Sequence, residues 1–383
     1  MSRKLTKNIL IIFILVLIPV LTSCGKKDDS TQEVLISEKD KSRDLETPDK
    51  KDQEKIDNSD TSEDKEVQGL QFVQQDHFYK DTVLIEIESD KPCDIYYTTD
   101  GTDPDESKKL YQEHIKLASR TTTKVYSIKA IGYYEDGSQT DIITHTYFVG
   151  KNIDSRFDTL VFSVTTDPYN LYDYEYGIFI PGKLRDDYIR ENPHEHIEPP
   201  APANYNMRGR ESEREVYLEI FEPDGSRIAN QDAGIRVYGG WSRANSQKSI
   251  KIFARKAYDE ENNKIRYEFF PDEKINKENG TIVDRFKRLV LRNCGNDHDH
   301  GFIRDEMVQT LAGQAGYKDY QSVRPVALFI NGEYHGFYWL HEVYCNEYFE
   351  EHYGKFTGTF EVLEGGENYK KVDEDGSNQY AID

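Results

Sequence analysis

The sequence predicts an α+β protein in which a small all-β sandwich precedes a larger mixed α+β lobe. Residues 70–149 carry short alternating or β-branched runs ("TVLIEIES", "CDIYYTT", "TKVYSIKAIGYY", "IITHTYFV") separated by turn-rich "SDKP", "DGTDPDES" and "EDGSQT". From residue 158 onward, strand-like runs are interrupted by one strong helical pattern, "FIRDEMVQTLAGQAG". The chain has 383 residues, long enough for more than one domain. It is only 36% hydrophobic yet holds 27 tyrosines and 18 phenylalanines, so its polarity must be concentrated in one part.

That part is the N-terminus. Arg3, Lys4 and Lys7 precede an apolar stretch, Ile9 to Val20, that is short for a lone membrane span and ends in "LTSC". Residues 1–24 therefore read as a lipoprotein signal peptide in which Cys24 is lipidated. An ordinary cleaved signal and an uncleaved anchor are the alternatives. Two acyl chains on Cys24 would suffice for stable anchoring, which puts the mature chain outside the bacterial cell membrane, lipid-anchored and extracytoplasmic. Residues 25–68 are almost wholly polar and charged and read as a disordered acidic tether, spanning roughly 35 Å on average.

The formal net charge of −22 argues against nucleic acid as a partner, because a basic footprint is missing. Cys93, Cys294 and Cys345 remain after Cys24. They form no even framework; a Cys294–Cys345 bridge is open, and isolated buried thiols are the simpler reading. No CxxC or HExxH spacing supports a zinc site.

Residues 69–150 form the predicted sandwich. Its turn carboxylates Asp100, Asp103 and Asp105 read either as calcium ligands or, more simply, as solvated turn residues. In the lobe, "TLVFSVTTDP" and "FKRLVLRN" are strand-like, "REVYLEIFEPDGSRI" is a hairpin around "PDG", and "VRPVALFINGEYHGFYWLHEVY" is a hairpin around "NG". In the helix, Ile303, Met307, Leu311 and Ala315 recur every four residues, a stripe expected to face the sheet, and Gly316 ends it. "NDHDHG" reads as a metal cluster or, more simply, as Asp297 or Asp299 capping that helix. His194 and His196 in "HEHIEPP" have weak metal-ligand spacing in a proline-rich loop.

The run "GIRVYGGWSRANSQKSIKIFARK" reads as two strands joined by a glycine turn. Period-two alternation places Lys248 with Ile250 and Ile252, and Ser249, Lys251 and Phe253 on the other face. An ammonium on an apolar face needs a partner. Lys248 is therefore either a phosphate-facing lysine, with Gly239 and Gly240 permitting close backbone approach, or a structural lysine at a sheet edge. Phosphoryl transfer needs a phosphate cradle, a cation, metal-binding carboxylates and a base. Glu306, bordering the helix stripe, is the candidate partner for Lys248, with Asp305 as its rival.

"NYNMRGRESEREVYLEIFEPDG", "AGIRVYGGWSRANSQKSIKIFAR", "LRNCGNDHDHGFIRDEMVQTL" and "VALFINGEYHGFYWLHEVYCNEYFEEHYG" resemble successive blocks of the CotH kinase family, atypical kinases related to spore-coat protein CotH. The resemblance runs from about residue 158 to the end and assigns residues 151–383 to a kinase-like domain. It implies a protein-kinase-like fold, ATP and Mg²⁺ as cofactors, and a Ser or Thr hydroxyl of an extracellular or coat protein as acceptor. Lys248, Ser242 and Arg243 fall in its "SR…KS" block and Glu342 at the inter-lobe, adenine-side segment. The family's "N…D…N" loop and "DLD"-like block have no counterpart in "LEGGENYKKVDEDGSNQYAID", so the lobe is expected to be an N-terminal part that looks truncated at its C-terminus. Its catalytic residues would lie beyond residue 383, and little phosphotransfer is expected of this chain alone. The sandwich, through "YTTDGTDP", resembles the chitobiase/β-hexosaminidase C-terminal-type module, which implies an accessory role and cell-wall glycan as a candidate partner. The competing function is a non-catalytic surface lipoprotein that binds glycan or a partner protein.

Overall fold

The computed structural model describes residues 69–270, 280–317 and 319–354, together with the backbone of three short strands near the C-terminus, Val362–Glu364, Lys370–Val372 and Asn378–Gln379. The signal segment with Cys24 and the tether lie outside the described residues.

Nine short strands build the first module: β1 (Leu70–Phe72), β2 (Phe78–Tyr79), β3 (Val83–Ile85), β4 (Ile87–Ser89), β5 (Cys93–Thr98), β6 (Lys109–Leu110), β7 (Ile115–Leu117), β8 (Lys124–Tyr134) and β9 (Ile143–Val149). They pair as a five-stranded sheet in the order β2-β9-β8-β5-β6 and two small two-stranded sheets, β1-β4 and β3-β7. Alternate residues of the strands turn inward, and Ile85, Ile87, Ile95, Ile128 and Tyr147 fill the space between the sheets. The turn carboxylates serve their own backbone: Asp100 accepts from the Thr102 N–H (3.0 Å) and hydroxyl (2.6 Å), Asp105 accepts from Ser107, and Asp103 pairs with Lys129. These are local turn bonds, so the solvated-turn reading describes them better than the calcium reading.

The second module is a closed barrel. Its strands are β10 (Leu160–Thr165), β11 (Arg214–Phe221), β12 (Arg227–Tyr238), β13 (Ser249–Phe253), β16 (Arg288–Arg292), β17 (Val323–Ile330) and β18 (Glu333–His341); the short pair β14 (Ile265–Arg266) and β15 (Arg285–Phe286) lies outside it. The order around the barrel is β10-β11-β12-β13-β16-β18-β17, closed by the parallel pairing of β10 with β17. Both expected hairpins form. The β17–β18 turn places Asn331 and Gly332 at φ of 50° and 79°, the left-handed pair that a tight hairpin needs. Inward side chains such as Phe162, Leu218, Ile235, Ile250, Ile252, Leu289, Leu291 and Leu340 fill the interior completely.

Among the described residues, four α-helices accompany the barrel: α1 (Pro168–Tyr172), α2 (Gly182–Glu191), α3 (Arg304–Gln314) and α4 (Asn346–Tyr353). Only α2 and α3 reach ten residues, so the described chain is more strand-rich than the expected α+β label, and its sheet is a barrel. The helix α3 forms where the four-residue periodicity put it, but with the opposite face inward. Ile303, Met307 and Leu311 are about half exposed, while Glu306 is buried. The reason is topological. The barrel interior is filled by strand side chains, and its outer apolar residues are covered by the sandwich and by Val343, Cys345 and Tyr348, so the stripe of α3 is left without an apolar face to cover.

The two modules share a buried seam. Val125 and Phe148 of the sandwich pack with Phe157, Val161, Phe221, Ala327 and Phe329. Thr146 and Ser163 hydroxyls meet across it at 2.9 Å. At its rim, Gly101 (φ 89°) approaches so closely that a Cβ there would lie 2.3 Å from the Thr166 carbonyl oxygen. Asn331 completes this corner by accepting from Thr166 N–H (2.9 Å) and donating to Thr166 C=O (2.8 Å).

Candidate functional site

The strands β12 and β13 pair antiparallel, as their alternation predicted, but residues 239–248 between them form a longer connection that includes a 3₁₀ turn, Trp241–Ala244. Gly239 sits at φ 107°, where a Cβ would press on the Ser242 hydroxyl; Gly240 has negative φ and open space about it. Arg243 is buried and spends its guanidinium on three carbonyls, of Gly239 (2.6 Å), Tyr205 (3.0 Å) and Met207 (3.1 Å). Burial lowers its pKa to about 9. Ser242 lies half-buried at the start of this turn.

Lys248 is 4% exposed. Its Nζ donates to the carbonyls of Arg243 (2.8 Å) and Asn245 (2.9 Å) and lies 4.4 Å from the centre of the Tyr205 ring. Burial alone lowers its pKa to about 8. The ammonium thus closes its own turn. The expected Lys248–Glu306 pair does not form, and alternation explains why. Lys248 lies on the side of Ile250 and Ile252, the barrel interior, whereas α3 packs on the outside.

The outward row is different in character. Arg236 stands opposite Lys251, Lys251 opposite Val290, and Val290 opposite His341. Directly opposed residues project to one face, so Lys251 and His341 share it across two strand spacings, about 9.5 Å. Lys251 is 5% exposed, with its ammonium 4.9 Å from the Tyr238 ring centre. His341 Nε2 lies 3.0 Å from Glu306 Oε1 of α3, and both residues are fully buried. Asp305, the rival carboxylate, is held by Arg292 at 2.9 Å.

The segment entering α3 is fixed tightly. Asp297 accepts from the N–H groups of Ile303 and Arg304 (3.0 Å each) and of Gly301 (3.2 Å), and these bonds hold its carboxyl below the usual range. Asp297 is therefore the clamp at the helix entrance, as the capping reading proposed. Cys294 and Phe302 flank this loop at φ 63° and 55°, uncommon for side chains with a Cβ. The Phe302 carbonyl accepts from Trp339 Nε1 (2.9 Å) and the Cys294 thiol. Asn293 ties the loop to β13 through Ser249 Oγ (2.7 Å) and to the turn through the Gln247 carbonyl (2.6 Å). Cys294, Cys345 and Cys93 are free thiols, so the bridge left open by the sequence does not form.

Glu342 follows β18 directly. It is buried, accepts from Ser322 N–H (3.1 Å) and pairs with His352 of α4 (2.6 Å). Next to the outward row, Arg255, Lys256, Lys287 and Arg288 line an open cleft together with Glu347. One guanidinium nitrogen of Arg288, Nη1, is shut off from solvent and makes no hydrogen bond. Arg255 is paired with Glu213 (2.8 Å), and Lys287 (3.2 Å) and Arg288 (3.8 Å) lie beside Glu347, so the cleft gathers cations that are partly neutralised.

Comparison with known families bears on this region. A family model described as CotH kinase protein matches residues 235–381, from mid-β12 through the outward row, α3 and α4. That region is CotH-like. A second model, described as Fn3 associated, matches residues 85–147 within the sandwich. No curated protein and no solved structure matches the chain at the significance applied to them. The CotH-like match supports a kinase-family domain, and with it the general expectation of a nucleotide and a divalent metal. It begins in β12, later than the resemblance at residue 158, although β10 and β11 complete the same barrel.

The described residues fit the two expected ligands unequally. The cleft's cations are partly engaged, Arg255 with Glu213 at 2.8 Å and Lys287 with Glu347 at 3.2 Å, so phosphate oxygens would have to compete with these carboxylates. Asp305, Glu306 and His341 bring donor atoms within 4.8 Å of one another, but an imidazole among three donors, with both carboxylates already engaged, suits Mg²⁺ poorly.

The sequence reading passed over Lys251, His341 and the Arg288 cleft. For Lys251 a signal existed: the same alternation that put Lys248 inward put Lys251 outward.

Proposed function

We propose that the chain is an extracytoplasmic CotH-type protein kinase, lipid-anchored through Cys24, whose nucleotide-facing surface is the outward row of the barrel. The observation that supports this reading is the placement of Lys251, His341 and α3's Glu306 on one face beside the cation-lined cleft, within the CotH-like match. On this reading Lys251 and Arg288 hold phosphate, and Glu306 and His341 fix the position of α3 against the row. Lys248, Ser242, Arg243 and Gly239 shape the adjoining connection. ATP supplies the phosphoryl group, and the acceptor is a Ser or Thr hydroxyl of a surface or coat protein. No helix among the described residues is long and apolar enough to cross a membrane, so anchoring rests on residues 1–24 in this proposal.

The test is nucleotide-dependent thermal stabilisation of the full-length chain, since a ligand stabilises only the state it binds. ATP with Mg²⁺ raises Tm in the wild type and in Lys248→Met relative to its own baseline, and has no effect on Lys251→Met. Stabilisation that survives in Lys251→Met and disappears in Lys248→Met would reverse the assignment, and no stabilisation in any form would remove the nucleotide.

A second reading has one observation in its favour. Tyr169, Tyr172, Tyr174 and Tyr176 are each 40–54% exposed on one short segment, with Tyr169 stacked on Tyr176 at 5.3 Å. Stacked exposed rings suit sugar faces, so a non-catalytic glycan-binding surface lipoprotein is the rival function. Retention of the chain by cell-wall polysaccharide, lost in Tyr169→Ala, is the result it requires.

A further inference from the structure

The seam between the modules contains a group of side chains that neither function uses. His77 precedes β2, His145 lies in β9, and Glu219 lies in β11 of the barrel; their exposures are 5%, 3% and 0%. One ligand-capable atom from each lies within 4.8 Å of the others.

The hydrogen bonds leave those atoms poorly served. His77 Nδ1 is 2.8 Å from the Thr146 carbonyl, an acceptor only, so Nδ1 carries the proton and Nε2 keeps its lone pair. His145 Nε2 is buried with no partner, and so is Glu219 Oε2. The other oxygen, Glu219 Oε1, takes Arg227 at 3.1 Å. The Thr146 hydroxyl lies 2.9 Å from the Ser163 hydroxyl, and the Thr146 hydroxyl and N–H also bond the Glu219 carboxyl. The rings of His77 and His145 stack at 4.2 Å with planes 10° apart, and Phe72, Tyr147 and Phe221 pack around them.

Buried polar atoms without partners, His145 Nε2 and Glu219 Oε2, are costly unless something serves them. A direct imidazolium–carboxylate bond would be the simplest joint, yet His145 and Glu219 do not make one. Bonds of about 2.0–2.2 Å to tetrahedral zinc set neighbouring donors about 3.3 Å apart, so loading draws the donor atoms inside the 4.8 Å within which they lie and turns the two rings out of their parallel stack. A donor hydrogen bond from the far nitrogen of a histidine to a backbone carbonyl, as His77 has, is the usual outer support of a metal-binding ring.

We infer that His77, His145 and Glu219 form a structural site for a divalent transition metal of the zinc type, pinning the sandwich to the barrel. Two ligands come from one module and one from the other, so the ion would act as a staple across the seam. Two nitrogens and one oxygen favour zinc over calcium or magnesium, and burial closes the site to substrate.

The full-length chain is stripped with EDTA, desalted, and reloaded with Zn²⁺ or Co²⁺. The expected results are about one zinc per chain by elemental analysis, and visible Co²⁺ bands of a tetrahedral nitrogen–oxygen site without the near-ultraviolet thiolate band. Metal removal lowers Tm by about 5 °C or more. His145→Ala and His77→Ala lose the metal, whereas Glu306→Gln keeps it. Should the histidine variants fail to fold, X-ray absorption on the zinc-loaded wild type counts the imidazoles directly, two being expected. The inference falls if the wild type holds no zinc above the buffer blank, if the spectrum shows sulfur ligands, if fewer than two imidazoles are counted, or if the metal is lost in Glu306→Gln but kept in His145→Ala.

Discussion

Glu306 Oε1 and His341 Nε2 meet at 3.0 Å between α3 and the outer wall of the barrel, at a point that solvent does not reach. With the Arg292–Asp305 pair and the bond from Gln321 N–H to Gln309, this contact ties α3 to the barrel by polar groups while its apolar stripe stays half exposed. Glu306→Gln is therefore expected to destabilise the chain by about 2–3 kcal/mol, because it leaves a buried imidazole with a weaker partner. Urea denaturation measures this as a fall in the midpoint at unchanged slope. An unchanged midpoint would mean that the contact contributes nothing.

The stripe on the other side of α3 should behave in the opposite way. Met307→Gln and Leu311→Gln change residues that are 45% and 54% exposed, and each should alter stability by about 0.5 kcal/mol or less. A loss of 2 kcal/mol or more for either would show that this face is covered in solution.

Lys248 is expected to be structural. Lys248→Met removes two hydrogen bonds to turn carbonyls and should cost about 1–3 kcal/mol. Burial lowers its pKa to about 8 against an ordinary 10.5. A lysine with a depressed folded pKa is charged more readily in the unfolded chain, so its unfavourable contribution is largest at neutral pH and fades above about pH 10. The cost of Lys248→Met should accordingly be greater at about pH 10 than at about pH 7, which denaturation at the two values compares.

Asp232 gives the opposite kind of acid. Burial, then the neighbouring Glu215, Asp259 and Asp103 carboxylates, push its pKa up to about 6, with Lys129 opposing. Its folded pKa is above the unfolded value near 3.8, so its stabilising contribution is complete below that value and is lost as pH rises through about 6. Asp232→Asn should raise stability by about 1 kcal/mol at pH 8 after allowance for solvent screening, and leave it unchanged near pH 3.5. Equal effects at both pH values would contradict the assignment.

The corner at Gly101 is expected to tolerate no side chain. Gly101→Ala adds a Cβ 2.3 Å from the Thr166 carbonyl oxygen at φ 89° and should cost about 2 kcal/mol or more. Limited proteolysis would then cut first between the sandwich and the barrel; cleavage unchanged from wild type would count against a tight corner.

Much of this structure was legible from local pattern. Alternation fixed which of Ile250 and Lys251 faces inward, the "PDG" and "NG" turns marked both hairpins, and the four-residue repeat found α3. Each of these depends on residues a few positions apart. Closure of the barrel depends on β10 meeting β17, more than 150 residues later, and no local period encodes it. That one pairing decides that α3 packs outside, which in turn exchanges Lys248 for Lys251 and buries Glu306 in place of Met307. His77, His145 and Glu219 were invisible for the same reason: they are separated in sequence and share no spacing motif, and only docking of the modules assembles them.

The seam also bears on how the protein tolerates being shortened. Phe157, Phe221, Ala327 and Phe329 are dry only because Val125 and Phe148 lie over them. A chain beginning after residue 150 would not shed an inert accessory. It would present a bare aromatic wall on the outside of its barrel, the kind of surface that drives molecules to clump during synthesis. In the cell, the sandwich would then serve as a built-in chaperone, made first by the ribosome and already folded when the strands it must shelter emerge.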